Sequence, residues 1–568
     1  MESVGYEFVK RNKENHQKIA VEFFQNNSLN VQYNYETLIQ RAQSIAHHLV
    51  ESGYSNKRVL VLIEPGIDYI VAFWACVFAH AVAVPVMVPL NMSTADNLNF
   101  IAADAQISAL LTSTVVSRKL TKLYQIKKST NYHVTSVFRK LLNCFRRNKE
   151  SNITIRSVPW IIVTDHYDNQ VPFTMIPSVE EEHVTFLQYT SGSTSNPKGV
   201  IVTNKAILKN TEQIYGTFVN KIDRAISWLP PYHDMGLIGA IICPLLYGKT
   251  LYLMSPFDFI KNPQNFLRLV NEAKTEIVAM PNFAYNLLIS KAKDDTFNCY
   301  DLSSMKFWLS GAEPINHDTL MKFVRAFSSV GVRHETIFPV YGLAEATLLV
   351  SGVKENEPFL TLYINKEAYE NNLIDIVDEY HPNALPLVSC GRVVEGLDLR
   401  IVEPKTNTLC KELEVGEICL SGSNIAGGYW KKIEETSKSF NHRIPNSQLN
   451  YFRTGDLAFI YQNQLFITGR LKDLIILNGK NYYPQDIEMI VGESDPGLRG
   501  GCAAFTITSD EREKLIIVCE VKHKIHDYLT IKQNIREKIV HHFHINVDEI
   551  VLIRQRSIPR TSIVSLSS

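Results

Sequence analysis

The sequence predicts an α/β fold: a large N-terminal domain of mostly parallel sheets flanked by helices, a small β-rich subdomain, and a small α+β C-terminal domain. Three observations predict it. Along the front of the chain, apolar runs that read as buried strands alternate with helical periodicity. After about residue 390 the texture changes to short strands with glycine turns, "LDLRIVE", "GEICLSG" and "LAFIYQNQLFITG". Beyond "GRLKDLIILNGKNYYP" a further unit mixes the strands "CAAFTIT" and "KLIIVCEV" with a helix from about Leu529 to His542.

Taken in order, Leu38, Ile39, Ala42, Ile45, Ala46 and Leu49 recur on one helical face between Tyr35 and Val50, with Asn34 placed to cap the start and Gly53 to end it. "RVLVLIE" follows as an interior strand. Tyr69 to Leu90 holds no charged residue over a length that can cross a bilayer. Pro85 and Pro89 break such a span, so we expect a buried helix from Ile67 to Ala79 and a buried strand from Ala81 to Val88, with no transmembrane segment. The runs "AISWLP", "TLYLM", "IVAMP", "KFWLSG" and "TIFPVYG" read as further strands. In open parallel sheets ligands gather at the carboxyl ends of strands, which directs attention to the residues that follow these runs.

Composition narrows the function. The chain has 568 residues, 45% of them hydrophobic, which is more than one compact core and fits a large soluble enzyme. Lysine plus arginine equals aspartate plus glutamate at 58 each, so nothing in the balance favours nucleic acid as partner. The nine cysteines are scattered, without a C-x-x-C pair, which argues against a disulfide framework or zinc site. The N-terminus lacks the apolar core of a secretory signal. Together these place the protein in the cytoplasm.

The stretch "YTSGSTSNPKGV" (189–200) concentrates hydroxyls, glycine and one lysine. A Walker loop requires a glycine five residues after the first and then Lys-Ser/Thr. Here Gly192 is followed at that spacing by Pro197, and Lys198 precedes Gly199. What remains is either a run of N–H groups and hydroxyls with a cation, able to wrap a polyphosphate, or a solvated linker.

Downstream stand "WLSGAEPI" (308–315), "VYGLAEAT" (340–347), "YFRTGDL" (451–457) and "GRLKDLIILNGK" (469–480). With the loop they resemble, over nearly the whole chain, the adenylate-forming superfamily of acyl-CoA ligases, luciferases and peptide-synthetase adenylation domains. "WLPPYHDMGLIG" (228–239), "LKDLIILNGKNYYPQDIE" (471–488) and the long connection containing "PFLTLYINKEAYENNLIDIVDEY" are most similar to fatty acyl-AMP ligases.

The resemblance implies a fold and a reaction. Residues 1–471 form the AMP-binding domain, with a family-type insertion around 352–386 and the β-rich subdomain around 390–468. Residues 472–568 form a mobile C-terminal domain after hinge Lys472. In the family the insertion is proposed to dock on the main domain and hamper the rotation that thioester formation needs. Exposed Phe359, Leu362, Tyr363 and Ile364 are costly unless packed. The implied reaction joins ATP, with Mg²⁺, to a medium- or long-chain fatty acid, giving acyl-AMP for an acyl carrier protein, possibly on a polyketide or peptide synthase.

The chemical obstacle is charge. A carboxylate brought about 4 Å from an α-phosphate meets roughly 4 kcal/mol of repulsion per charge pair in a partly shielded site. Cations and oriented N–H groups must cancel it. By the resemblance, Thr190, Ser191, Gly192, Ser193, Thr194 and Lys198 hold the β- and γ-phosphates, and Glu345 binds Mg²⁺; taken alone, Glu345 also reads as a helix-start carboxylate. Tyr341 offers an aromatic face to adenine, with Gly342, Leu343 and Ala344 beside it, and the turn Gly311, Ala312, Glu313, Pro314 supports the other face. Asp456 suits the ribose hydroxyls, and Arg470 reaches ribose or phosphate. His233 and Asp234 stand where acyl pocket meets adenylate, with Ile238 and Gly342 lining the alkyl slot. "VHHFHIN" (540–546) reads as a solvated helix end.

The pattern breaks at the end. The family closes on a segment like Pro-x-Thr-Ser-Ser-Gly-Lys, whereas this chain reads "SIPRTSIVSLSS", matching through Pro559, Arg560, Thr561 and Ser562 and then lacking glycine and lysine. Either adenylation is weakened, or Lys480 or Arg560 substitutes as the cation, or residues are lost between Ser562 and Ile563, and the abrupt end of a good match favours the last. The break also admits a non-catalytic acyl-adenylate binder, and a fatty acyl-CoA ligase is the other alternative. The basic stretch Arg118 to Lys149, free of acidic residues, reads as a solvated face or as a landing surface for an acidic carrier.

Overall fold

The computed structural model describes residues 2–89, 92–130, 154–167, 179–190, 197–292, 299–355, 357–477, 480–509, 512–522, 527–555 and 557–558. Ser191, Gly192, Ser193 and Thr194, the basic stretch beyond residue 130 and the closing segment from Pro559 lie outside the described residues.

Two mostly parallel sheets organise the front of the chain. The first runs Trp160–Ile162, Ala109–Thr112, Arg58–Leu62, Val82–Pro85, Val184–Thr190, Lys198–Thr203, and its last pair is antiparallel. The second has a parallel centre in the order Ile337–Gly342, Phe307–Ser310, Ile277–Met280, Arg224–Ser227, Thr250–Met254, Ile19–Gln25. Antiparallel strands flank it: Leu349–Gly352 and Arg392–Val393 on one side, Ser28–Asn34 on the other. The central strands are buried on both faces, which is why they read as near-continuous apolar runs.

Helix Tyr35–Glu51 starts where expected, the Asn34 side chain accepting from Thr37 N–H at 2.8 Å. The long apolar segment folds into the buried helix Ile67–Phe78 and the strand Val82–Pro85, parallel to Arg58–Leu62. That strand is shorter than the expected Ala81–Val88. Pro85 has no N–H for the ladder, and Val86 N–H reaches back to Val61 O at 3.3 Å. Among the described residues, no helix is long and apolar enough to cross a membrane.

The β-rich part is a four-stranded antiparallel sheet, Leu397–Val402, Gly416–Gly422, Phe452–Tyr461, Gln464–Arg470. The connection before it contains the hairpin Thr361–Asn365 and Ala384–Val388. Phe359, Leu362 and Ile364 are buried and Tyr363 is half-buried. Leu362 and Ile364 pack with Leu457, Phe459 and Phe466 of the four-stranded sheet, which removes the exposure their composition raised.

The last part has a core of its own. Helices Pro484–Gly492 and Tyr528–Phe543 cover a three-stranded sheet, Leu498–Ser509, Arg512–Val521, Glu549–Arg554. Asp527 caps the longer helix through Thr530 N–H at 2.9 Å, and His544 ends it at φ 54°.

Candidate active site

A cavity of about 380 Å³ opens at the carboxyl ends of the second sheet. Its polar end is assembled from four parts of the chain. In the first sheet, Thr190 pairs with Lys198 across two antiparallel strands. Thr190 and Lys198 both line the cavity. The Lys198 ammonium meets Glu435 Oε2 at 3.0 Å and lies 5.0 Å from the centre of the Tyr429 ring.

The strand Ile337–Gly342 delivers the second part. Tyr341 is its next-to-last residue, and Gly342 is confined to glycine because a Cβ there would collide with Leu348 O. The following 3-10 turn, Ala344–Ala346, presents Glu345, and Thr347 ends it in a backbone conformation, φ 67°, unusual for a β-branched residue. Two bonds hold this turn: Thr347 Oγ1 donates to Asn424 O at 2.7 Å, and Ala426 N–H donates to Glu345 O at 2.8 Å. Burial raises the Glu345 pKa, and the Tyr429 hydroxyl, donating to Oε1 at 2.9 Å, opposes that shift. Tyr341, Gly342, Leu343, Ala344 and Glu345 all line the cavity.

The four-stranded sheet supplies the third part. Asp456 and Arg470 are direct partners across its last hairpin. Arg470 Nε donates to Asp456 Oδ1 at 3.1 Å, and the Tyr341 hydroxyl donates to Oδ2 at 2.6 Å. Burial raises the Asp456 pKa, while Arg470 and Tyr341 pull it down. Lys472 and Asp473 line the cavity along with Arg470.

Fourth comes the segment after the strand Arg224–Ser227. His233 Nδ1 lies 2.5 Å from Asp234 Oδ1, and Asp234 caps the π-helix Met235–Ile242 by accepting from Met235 N–H at 2.6 Å. Gln188 Nε2 holds Tyr232 O at 2.9 Å, which ties this segment to the first sheet.

From His233 the cavity continues as an apolar slot between the sheet and the helix Asn204–Thr217. Ile214, Phe218, Ile277, Ala279, Leu309 and Val340 line its walls. Strand register gives the span of the whole cavity along the sheet. Ile277 aligns with Phe307, Trp308 with Ile337, and Tyr341 lies four positions beyond. The lining from Ile277 to Tyr341 therefore covers five residue steps, roughly 16 Å at the usual strand rise.

Five expected positions depart from this arrangement. Lys480 does not line the cavity: it sits on the hairpin Ile475–Leu477 and Lys480–Tyr482, its ammonium 3.0 Å from Glu370 Oε2 of the connection. Its position is decided by a carboxylate 110 residues away that sequence spacing does not reveal. Ile238 is fully buried in the main core, and its neighbours Met235, Gly239 and Ala240 face the slot instead, because the π-helix shifts which side chains share a face. In the turn 311–314, Ala312 lines the cavity, at φ 64°, while Gly311 and Pro314 do not. Glu313 is likewise outside the lining, its carboxylate accepting from Phe283 N–H at 3.0 Å. Conversely, Tyr429 and Glu435 were not among the sequence candidates. The glycine pair before the aromatic pair in "GGYW" (427–430) was the available signal.

Mg²⁺ is held by one or two carboxylates together with substrate phosphates, and Glu345 is one of the carboxylates that line the cavity. Glu345, whose Oε1 accepts from the Tyr429 hydroxyl at 2.9 Å, can supply such a ligand.

Comparison with known proteins supplies independent findings. The model of the AMP-binding enzyme family matches residues 8–430, and that of the AMP domain of Disco-interacting protein 2-like proteins matches residues 472–566. Over 560 residues the chain is 35% identical to the medium-chain-fatty-acid acyl-carrier-protein ligase JamA of Moorena producens (strain JHB), covering 96% of this chain and 90% of that protein. It is 30% identical to a 4-hydroxyphenylalkanoate adenylyltransferase of Mycobacterium marinum, covering 92% and 83% of the two. A solved structure of a fatty acyl-adenylate ligase from L. pneumophila, in complex with acyl adenylate and pyrophosphate, matches with TM-score 0.75 and 33% identity, covering 100% of this chain and 95% of that one.

Proposed function

The chain belongs to the AMP-binding enzyme family, and we propose that it activates a medium-chain fatty acid with ATP as acyl-AMP, for transfer to an acyl carrier protein. One observation carries this reading: a polar chamber with Lys198, Glu345, Asp456 and Arg470 continues without a break into an apolar slot. The relatives' names, a fatty-acid ligase acting on a carrier protein and a fatty acyl-adenylate ligase, support it.

In this reading a carboxylate oxygen attacks the α-phosphate, a new P–O bond forms, and pyrophosphate leaves. Asp456 accepts from the ribose hydroxyls with the lone pairs that Tyr341 and Arg470 leave open. Tyr341 presents its ring to the base, beside Ala312 and Gly342 to Ala344. Lys198, with Thr190 and the sequence candidates Ser191 to Thr194, takes the β- and γ-phosphates, exchanging Glu435 for them. Glu345 would hold Mg²⁺, which supplies charge neutralisation of pyrophosphate when bound. His233 stands at the junction of slot and chamber, where it orients the carboxylate. The carrier thiol then attacks the acyl carbonyl and AMP departs. Lys472 is the pivot between the two steps, and the contacts of the 352–386 insertion on the last domain resist that pivot. The free cysteines among the described residues support a reducing, cytoplasmic setting.

The test is mass spectrometry of products from a fatty-acid panel with Mg-ATP, with and without coenzyme A, alongside fatty-acid-dependent ATP–pyrophosphate exchange. Accumulated acyl-AMP is the expected result. Sustained thioester turnover on free coenzyme A identifies an acyl-CoA ligase instead, and no exchange at any chain length leaves a binding protein.

A further inference from the structure

We propose that Tyr429 is a positioning residue that couples the carboxylate for the metal to the cation for the phosphates. The inference rests on the adenylate-forming reading of the cavity. Among the described residues, Tyr429 touches both groups: its hydroxyl donates to Glu345 Oε1 at 2.9 Å, and its ring lies 5.0 Å from the Lys198 ammonium. A tyrosine can do both because the phenol donates one hydrogen bond while the ring face attracts a cation.

The backbone makes the placement rigid. Residues 426–430 form a strap between the two parts of the site. Ala426 N–H donates to Glu345 O at 2.8 Å. On the other side, Gly427 N–H donates to Ile201 O at 2.8 Å, Ile201 N–H to Gly428 O at 2.8 Å, and Trp430 N–H to Gly199 O at 2.7 Å. Tyr429 N–H is taken by Thr436 Oγ1 at 2.9 Å, and the ring edge packs on Phe440. Gly428 has φ 116°, and a Cβ there would collide with Thr436, so the strap needs glycine just before the tyrosine. The strand that carries Lys198 and the turn that carries Glu345 thus keep one spacing, with Tyr429 between their functional groups. A carboxylate fixed by a hydrogen bond on one oxygen presents the other in a defined direction, as partners of metal ligands generally do.

Two variants separate the two contacts. Tyr429→Phe keeps the ring and removes the hydroxyl; Tyr429→Leu removes both. Calorimetry on the full chain measures affinity for ATP in EDTA, and for Mg²⁺ added to the ATP complex. Tyr429→Phe is expected to weaken Mg²⁺ about 10- to 100-fold, as loss of a ligand's hydrogen-bond partner does, with metal-free ATP unchanged within about twofold. Tyr429→Leu is expected to weaken metal-free ATP as well. The proposal is overturned if Tyr429→Phe leaves Mg²⁺ affinity intact, if it weakens ATP and Mg²⁺ in parallel as general loosening does, or if the wild-type chain binds no Mg-ATP. A wild-type chain that binds Mg-ATP but forms no acyl-AMP removes the proposed function and still tests Tyr429.

Discussion

The Tyr341 hydroxyl donates to Asp456 Oδ2 at 2.6 Å, across 115 positions of chain. This bond joins the end of a parallel strand in the large sheet to the first strand of an antiparallel hairpin, so it fixes two walls of the cavity's polar end relative to one another. Arg470 takes the other carboxylate oxygen at 3.1 Å.

Asp456→Asn removes the charge and one acceptor while keeping the shape. At about 1.5–3 kcal/mol for a hydrogen bond to a charged group, it should lower kcat/KM for ATP by about 10- to 100-fold in pyrophosphate exchange. Tyr341→Phe, which keeps the ring, should cost less, about tenfold or below. Equal activity of both variants and the wild type would place the nucleotide elsewhere.

Gly239 lines the slot, and a Cβ there would lie 2.9 Å from Leu348 Cδ2. Gly239→Val should therefore narrow the slot. Against a fatty-acid panel its preference is expected to move to shorter chains, while ATP affinity stays as in the wild type. An unchanged chain-length profile argues that the alkyl tail takes another route.

The connection ahead of the four-stranded sheet holds the last part of the chain through Glu370 on Lys480, Tyr369 stacked on Tyr483 at 4.7 Å, and Lys366, which donates to His542 O and covers the Phe543 ring. Glu370→Ala with Lys366→Ala should loosen that grip without disturbing either core. Limited proteolysis is expected to cut faster near Lys472, and any coenzyme A turnover should rise. Identical cleavage rates in variant and wild type would count against the grip.

Asp486 and Glu488 supply a pH test. Burial raises both carboxyls to about 7, with Lys366 opposing at Asp486. A carboxyl whose folded pKa lies above its unfolded value stabilises the fold fully below the unfolded pKa, near 4. That contribution is lost as pH rises through about 7. Thermal unfolding should show the C-terminal domain weakening between about pH 4 and 7. Asp486→Asn should flatten this slope and stabilise the chain at pH 8 by roughly 1–2 kcal/mol, allowing for partial solvent access. A variant with the same slope as the wild type would assign it to other groups.

Most elements were legible in the sequence because local physics marks them. Asn34 announces a helix start by its side-chain acceptor, and central strands such as Ile277–Met280 announce burial on two faces by their apolar runs. The strand ending at Pro85 and the π-helix at Met235–Ile242 were misjudged in extent or facing. Their limits are set by which backbone groups find partners, and periodicity does not encode that.

By itself the chain determined its α/β class, its change of texture near residue 390 and the stretches that resemble adenylate-forming enzymes, since each depends on neighbours a few positions apart. Tertiary structure alone decided that Lys198, Tyr341, Asp456 and Arg470 share one cavity, that Lys480 turns to Glu370, and that Tyr429 stands between Glu345 and Lys198. These contacts join segments 80 to more than 200 positions apart. They exist only once sheet register and strap hydrogen bonds have set the distances, and a linear pattern carries no measure of such distances.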